Sequence, residues 1–168
     1  FMTENPESLE PVVSKWLEEH PEATTSVQDH SLTIDKMVVG TLGYVTPEMF
    51  GAIGDGVTDD THAFIYASAF KTIVCDKSKT YCANLTLSSD TVLINANIKA
   101  YNFTNAVVTI TGDNVSLTNC TLENEVGEYG NQSRGLYIES ANNIKIDNLD
   151  IKNVTRSALL INNANNIH

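Results

Sequence analysis

Apolar residues in the second half of the chain recur at a fixed offset. A set of four reappears 29 residues further on (from 115 to 144 and from 122 to 151): Val115, Leu117, Cys120 and Leu122 are followed by Ile144, Ile146, Leu149 and Ile151. A second series of short apolar segments agrees with this repeat: the segment from Val107 onward, Leu136-Tyr137-Ile138 and Leu159-Leu160-Ile161. Short apolar strands that repeat in this way are typical of solenoids, in which each coil buries its apolar face only against its neighbours. The pattern predicts a mainly β solenoid with coils at about 72–168, whose repeated apolar residues share one continuous core.

Asparagine residues mark the same repeat. Asn119 and Asn148 each lie between two apolar pairs, and Asn95 takes this place one coil earlier, 24 residues before Asn119. Asparagine tolerates left-handed backbone angles, and stacked copies can hydrogen-bond along the solenoid axis. We therefore interpret the three residues as a turn ladder and not as ligand-binding amides. The extra residues of the longer coil fall between Glu125 and Arg134, in a predicted projecting loop, and loops are where solenoids carry recognition.

The stretch from Phe50 to Phe70, FGAIGDGVTDDTHAFIYASAF, predicts a loop that turns into a helix. Glycines at 51, 54 and 56 suit a tight path with positive φ angles. Before the helix, the sequence has four residues with side-chain oxygens that can accept hydrogen bonds from the amides of the first helical turn. The negative charge of the carboxylates among them is favourable near the positive end of the helix dipole. Apolar residues at helical spacing then give the helix, at about 60–70, one buried face. The capping residues are Asp55, Asp59, Asp60 and Thr61, and the apolar residues are Ala63, Phe64, Ala67 and Phe70. Asp59 and Asp60 are predicted to fix the loop as well as to cap the helix.

The N-terminal residues 1–23 predict an amphipathic helix. Its apolar face carries Leu9, Val12, Val13, Trp16 and Leu17. A helix of about four turns is marginal alone in water, so this face needs a partner surface. Two interpretations stay open: the helix packs on its own solenoid, or it serves assembly and attachment. Residues 24–47 lack a sustained period and predict a linker, after which the solenoid part occupies 48–168.

Charge and composition restrict the partners. The net charge of −11 and the pI near 4.6 argue against nucleic acid or an anionic membrane surface as the main partner. No apolar run approaches the roughly 20 residues that span a bilayer, so membrane insertion is not predicted. The three cysteines, Cys75, Cys82 and Cys120, are predicted to be buried thiols, with a Cys75–Cys82 disulfide as the alternative. The histidines are scattered, and we expect no metal and no cofactor.

The Phe50–Phe70 stretch also resembles the opening segment of the pectate-lyase-like right-handed parallel β-helix superfamily, in which a short helix closes one end of the solenoid. The resemblance rests on the Gly-Asp-Gly, the Asp-Asp-Thr and the helix in that order. It implies a right-handed parallel β-helix with a short capping helix, preceded here by the N-terminal α-helical segment.

A second resemblance covers the helix, the linker and the start of that stretch. The segment WLEEHPEATTSVQDHSLTIDKMV, followed by YVTPEMFGAIGDG, is similar to the front of tail spikes and appendages of phages and prophages of Gram-positive bacteria. This resemblance implies an extracellular virion protein. It further implies a homotrimer that docks on other virion proteins and presents a region, downstream of these residues, that binds a host surface glycan.

The competing hypothesis is an enzyme. Glycoside hydrolysis needs two carboxyl groups across a cleft, and β-elimination needs a base and a charge stabiliser. The paired Asp, His-Gly and Arg-x-Lys motifs of the superfamily's hydrolases do not appear in this sequence. Asp113, Asp147 and Asp150 have no obvious partner, and Asp55, Asp59 and Asp60 could alternatively hold Ca²⁺. No catalytic residue is predicted. Because His168 falls within a coil, we expect a longer polypeptide, and the alternative function is a polysaccharide-degrading lyase or hydrolase with its active site downstream.

Overall fold

The computed structural model describes residues 43–101, 106–124 and 134–168. The predicted N-terminal helix, with its assembly residues Leu9, Val12, Val13, Trp16 and Leu17, and nearly all of the predicted linker lie outside these ranges. Residues Tyr44–His168 form one compact unit. Within the described ranges, no helix combines the length and the apolar character that a membrane crossing requires.

The described elements are short and almost all are strands. A 3₁₀ turn at Pro47–Phe50 precedes strand β1, and one helix, α1, follows β1. The bounds are β1 Asp55–Asp59, α1 Thr61–Ser68, β2 Thr72–Val74, β3 Thr80–Cys82, β4 Leu85–Leu87, β5 Val92–Ile94, β6 Asn97–Lys99, β7 Ala106–Ile110, β8 Ser116–Glu123, β9 Arg134–Glu139, β10 Asn142–Lys152, β11 Ser157–Asn162 and β12 Asn165–Ile167.

These strands stack in parallel as the coils of a solenoid. The first half of β8 pairs with β5 and its second half with β6, so one coil carries two strands where the next carries a single longer one. Strand β10 then lies on β8, and β12 lies on β10. A second sheet joins the remaining strands in the order β11-β9-β7-β4. The protein is therefore a mainly β parallel solenoid of about four turns with one short helix, which confirms this part of the sequence prediction.

The register follows the offset seen in the sequence. Leu117 pairs with Ile146, and Leu122 pairs with Ile151, across β8 and β10. Leu117 on β8 and Ile144 at the start of β10 are fully buried. Ile146, further along β10, is only half-buried, because β12 covers β10 only at Asn142 and Ile144. The predicted alignment is correct, whereas burial decreases toward this end of the described chain.

Helix α1 packs at the other end of the coils, against β2, β4 and the 3₁₀ turn. Ala63, Phe64 and Ala67 form its buried face. Phe64 meets the ring of Tyr81 edge-on, with 5.4 Å between ring centroids. Phe70 lies beyond the helix and packs on Phe50 at 5.5 Å. The capping helix is thus observed within the predicted range of about 60–70.

All three cysteines are buried and free. The alternative disulfide between Cys75 and Cys82 is therefore wrong. Cys75 directly follows β2, and its amide donates to the carbonyl of Ile94. Cys82 is the last residue of β3 and pairs with Lys99 on β6, so the two cysteines belong to different strands of the stack. Burial raises the pKa of the Cys75 thiol far above its ordinary range. These thiols are apolar core residues.

Candidate functional site

The acidic stretch before α1 is organised by one buried carboxylate. Asp60 is only 2% exposed. Its Oδ1 accepts a hydrogen bond from the amide of Ile53 at 2.7 Å. Its Oδ2 accepts from the amides of Gly54 at 3.1 Å and Cys82 at 3.3 Å. Because hydrogen bonds to an ionised acceptor are strong, Asp60 fastens the glycine loop to strand β3.

Asp60 stands at the N-cap position of α1, but its side chain makes no hydrogen bond to the helix. Of the two roles predicted for Asp60, helix capping is wrong, because its oxygens are directed to the loop and to β3. Asp59 has the local role instead, since its Oδ1 accepts from the amide of Thr61 at 2.9 Å. The hydroxyl of Thr61 accepts from the amide of Asn84 at 3.3 Å, which ties the start of the helix to the next coil.

Asp55 fixes the tip of the same loop. One oxygen accepts from the amides of Val57 at 2.8 Å and Thr58 at 2.7 Å, and the other accepts from the Thr58 hydroxyl at 2.8 Å. The hydrogen bond from the Thr58 amide, followed by that from Val57, holds the pKa of Asp55 below its ordinary value. Gly54 is required beside it, because its φ is +68° and an added Cβ would lie 2.8 Å from Lys79 Cδ.

The calcium interpretation of this acidic stretch gains no support from the geometry. The carboxylate oxygens of Asp55, Asp59 and Asp60 are engaged by different backbone amides of the loop, the helix and β3. Throughout residues 43–101, 106–124 and 134–168, no group of three or more acidic, histidine or cysteine side chains is placed to hold a metal ion. The stretch fixes the backbone at the start of the solenoid.

A second polar cluster lies under the 3₁₀ turn. The Tyr81 hydroxyl donates to Glu48 Oε1 at 2.5 Å, and Lys79 Nζ lies 3.0 Å from the same oxygen. Burial opposes ionisation of Glu48, but the hydrogen bonds from Tyr81 and the other groups outweigh it and lower the pKa of Glu48. The Tyr81 hydroxyl also accepts from the amide of Asp76 at 3.1 Å. The cluster joins the 3₁₀ turn to β3, and sequence reasoning missed it.

The structure brings the three asparagines of the repeat together. The Asn119 amide donates to Asn95 Oδ1 at 2.7 Å, and the Asn148 amide donates to Asn119 Oδ1 at 2.8 Å. All three have positive φ, at 60°, 56° and 52° in chain order. Lys77 Nζ also donates to Asn119 Oδ1. The amides are therefore engaged mainly with one another at a turn of each coil.

Two further ladders were missed in the sequence. In one, Asn114, Asn143 and Asn166 each donate to the preceding member, and Asp90 is the first acceptor, at 2.9, 3.1 and 3.0 Å in chain order. In the other, Asn142 donates to Asp113 at 3.1 Å and Asn165 donates to Asn142 at 3.0 Å. The first member only accepts, which suits a carboxylate. Adjacent polar pairs at the same offsets, Asp113-Asn114, Asn142-Asn143 and Asn165-Asn166, were the signal.

The outer surface of the coils carries charges in register. Glu123 stands between Lys99 and Lys152 in the neighbouring coils. Asn153 donates to Glu123 Oε1 at 2.7 Å, and Asp150 lies 3.1 Å from Lys152. Lysine and acidic side chains therefore alternate on this surface. Together they can donate hydrogen bonds to the hydroxyl groups of a ligand and accept hydrogen bonds from them.

The remaining candidate acids do not form a catalytic pair in the described part of the chain. Asp113 heads a ladder, Asp150 pairs with Lys152, and Asp147 is exposed on β10. No hydrogen bond joins any of these three carboxyl groups to another carboxyl group there. The geometry assigns them no acid–base role.

Comparison with known proteins gives two short sequence matches. No family model matches the chain. A capsule K30/K69-specific depolymerase of Klebsiella phage K64-1 is 56% identical over 41 residues, which are 23% of this chain and 5% of that protein. Depolymerase 1, also capsule K30/K69-specific, of Klebsiella phage K5-2 is 54% identical over 48 residues, 26% of this chain and 6% of that protein. The chain thus shares partial homology with capsule depolymerases of Klebsiella phages, and the match spans about a twentieth of their length.

Among solved structures, the chain is similar to a protein of Parabacteroides merdae named as a putative glycosyl hydrolase. The identity is 13% and the TM-score 0.41, over 73% of this chain and 81% of the other. A likeness at this level carries no argument about function. The sequence resemblance had pointed to phages of Gram-positive bacteria, whereas both matched relatives come from Klebsiella phages.

Proposed function

We propose that these residues belong to a phage virion protein, a tail spike or tail appendage that attaches the phage to a host surface glycan. The observation that carries the proposal is the identity of 54–56% to two phage capsule depolymerases. The described solenoid is compatible with this role, because its coils are fixed by parallel pairing and by three polar ladders. A rigid solenoid can hold a binding region at a distance from the particle.

The remaining parts of the proposal follow the sequence prediction. We infer a right-handed solenoid, because parallel crossover connections are right-handed in nearly all proteins. We propose that residues 1–23, predicted from the sequence to form an amphipathic helix whose apolar face includes Trp16, attach to other virion proteins, and that three chains assemble around one axis. The region that binds the glycan lies outside the described coils.

A second candidate function is enzymatic, and the names of the relatives favour it. Both matched proteins are depolymerases specific for a capsule. The whole polypeptide would then cleave a capsular polysaccharide, as a lyase or a glycoside hydrolase, with its active site outside the described coils. The two functions are compatible, since one protein can both attach to a capsule and degrade it.

Two measurements on the whole polypeptide separate these proposals. Antibodies against the solenoid part should label tails of purified virions in electron microscopy, and mass spectrometry should find the protein in those virions. Purified protein spotted on a lawn of the capsulated host should leave a halo if it degrades the capsule. Secretion of the protein by uninfected cells, together with its absence from virions, would overturn the attachment role.

A further inference from the structure

Strand β4 has one edge without a strand partner at the start of the solenoid. It is the end member of the sheet β11-β9-β7-β4 and pairs only with β7. The carbonyl of Leu87 accepts from the amide of Thr111 at 3.1 Å, so the backbone of Leu87 faces β7. Consecutive strand residues direct their N–H and C=O groups to opposite sides, and those of Thr86 therefore point away from β7. Among the residues that the structure describes, neither group of Thr86 has a hydrogen-bond partner.

A groove separates this edge of β4 from helix α1, and its volume is about 190 Å³. Its apolar lining comes from Phe64, Ile65, Ile73, Leu85 and Leu87. Ile73 is fully buried and Ile65 is 56% exposed, so the groove reaches from the surface to the core. None of the residues that line it is charged. Since an apolar cavity of about 150 Å³ can hold benzene, the groove has room for one large apolar side chain.

The neighbouring strands at this end of the solenoid are protected against pairing with another chain. Strand β1 is the edge of the larger sheet, and it begins and ends with aspartate. The Asp55 carboxylate also occupies two amides of the same strand. Strand β2 is covered by Val45, which pairs with Ile73. Charges and local bonds of this kind are devices that prevent edge pairing. Strand β4 and the residues on either side of it carry no charge, so its edge lacks such a device.

We propose that the groove is a docking site for an extended segment of another virion protein, which adds a strand to β4. An extended backbone is the ligand that pairs with both an N–H and a C=O at a strand edge, and strand addition is a common mode of recognition. The apolar lining suits a side chain such as phenylalanine and not a sugar, whose hydroxyl groups would lose their hydrogen bonds there.

The position of the groove agrees with this partner. The described chain enters the solenoid through Val45, beside Ile73, and Ile73 lines the groove. The groove therefore lies at the end of the solenoid to which the N-terminal residues connect, and those residues are the ones proposed to attach to the virion. This inference rests on the proposed virion attachment and adds a second contact to it.

The first test uses the complete chain with benzene and three synthetic peptides. The parent peptide is acetyl-Thr-Val-Phe-Val-Thr-amide; in the second peptide alanine replaces phenylalanine, and in the third the phenylalanine nitrogen is methylated. In parallel pairing, the residue that donates to the Thr86 carbonyl directs its side chain to the same face as Leu85 and Leu87, which is the place of the phenylalanine. Benzene and the parent peptide should raise the melting temperature, as ligands of the folded state do. The alanine and N-methyl peptides should each bind about tenfold more weakly or worse, because one loses the apolar side chain and the other a hydrogen bond.

Three variants of the chain separate the groove from the strand edge. Ser68→Leu fills the groove from α1 and should abolish binding of benzene and of the parent peptide. The matched control Ala69→Leu adds the same side chain at an exposed position outside the lining, and it should bind both probes like the parent chain. Thr86→Pro removes the outward N–H and leaves the bonds to β7 in place, a substitution that edge strands tolerate. It should bind benzene and lose the peptide.

Amide hydrogen exchange shows whether the edge is free before a partner arrives. The Thr86 amide should exchange rapidly in the free chain and slowly in the presence of the parent peptide. Protection without the peptide would show that another part of this chain already covers the edge, and would overturn the proposal. Equal binding of the phenylalanine and alanine peptides, or binding of benzene without binding of any peptide, would also overturn it.

Photo-cross-linking in purified virions identifies the occupant. Thr86 is replaced with the photoreactive amino acid p-benzoylphenylalanine, and the same replacement at exposed Lys145 on β10 is the control. Mass spectrometry should find position 86, and not position 145, joined to a different virion protein. Cross-links only to this chain or to a second copy of it would overturn the assignment of the partner. Failure of the groove in these tests, with the protein still detected on virion tails, would leave the proposed function standing.

Discussion

Replacing Asp60 with asparagine should destabilise the solenoid more than any other single charge removal in the acidic stretch. The substitution keeps the shape of the side chain and replaces one acceptor oxygen with a donor NH₂. Asp60 Oδ1 serves the amide of Ile53, and Oδ2 serves the amides of Gly54 and Cys82. An asparagine has one oxygen and can therefore satisfy only one of these two groups of amides. Its NH₂ then faces an N–H group in a place that water does not reach.

The magnitude follows from these contacts. A hydrogen bond to a charged group contributes about 1.5–3 kcal/mol, and a buried donor left unpaired costs about 1–3 kcal/mol. Asp60→Asn should therefore lower the free energy of unfolding by about 2–4 kcal/mol. Asp59→Asn is the matched control, because Asp59 is exposed and accepts from a single helical amide. Its loss should be at most about 1 kcal/mol.

Urea unfolding followed by far-UV circular dichroism measures both values. Amide hydrogen exchange at Ile53 and Gly54 reports the loop directly, and both amides should lose protection in Asp60→Asn and keep it in Asp59→Asn. Equal destabilisation by the two variants would refute the account of Asp60 as the anchor of the loop. So would unchanged protection at Ile53.

Three further predictions address the ladder of Asn95, Asn119 and Asn148, the apolar core, and the loss of stability at acidic pH. Asn119→Gly should cost about 1–3 kcal/mol in urea unfolding through two lost amide bonds, and Asn119→Ala should cost about 1 kcal/mol more because of its positive φ; equal costs would contradict this. Leu117→Ala should cost about 2–5 kcal/mol and Ile65→Ala, whose side chain is exposed on α1, clearly less, and the reverse order would contradict the observed burial. The pKa of Glu48 is lowered from an ordinary value of 4.5, so its contribution is present above that pH and is lost as the pH falls through the lowered pKa. The drop in melting temperature over this window should be smaller in Glu48→Gln, and an unchanged drop would exclude the Tyr81 pairing as its cause.

The repeat in the sequence was sufficient to predict the solenoid and much of its register. The offset of 29 residues between Asn119 and Asn148 fixes how β10 lies on β8, because each strand residue must meet its counterpart one coil away. The other two ladders obey the same rule and could have been found from their paired polar residues. A stacked architecture makes such contacts visible as a constant spacing.

The role of Asp60 could not be predicted in the same way. The acceptor contacts of Asp60 reach residues 7, 6 and 22 positions away, and these intervals correspond to no repeat. A position before a helix favours a capping interpretation, which is the commoner role for aspartate there. Helical and strand periodicity contain no information about such contacts between a loop and a distant strand.

The central claim, attachment to a host glycan, is tested most directly by binding of the whole polypeptide to cells. The fluorescently labelled protein is incubated with the capsulated host and with a mutant that lacks the capsule, and bound protein is counted by flow cytometry. Binding to the capsulated cells that is lost in the mutant, and competed by purified capsule, is the predicted result. Equal binding to both strains, or binding to neither, would contradict the account.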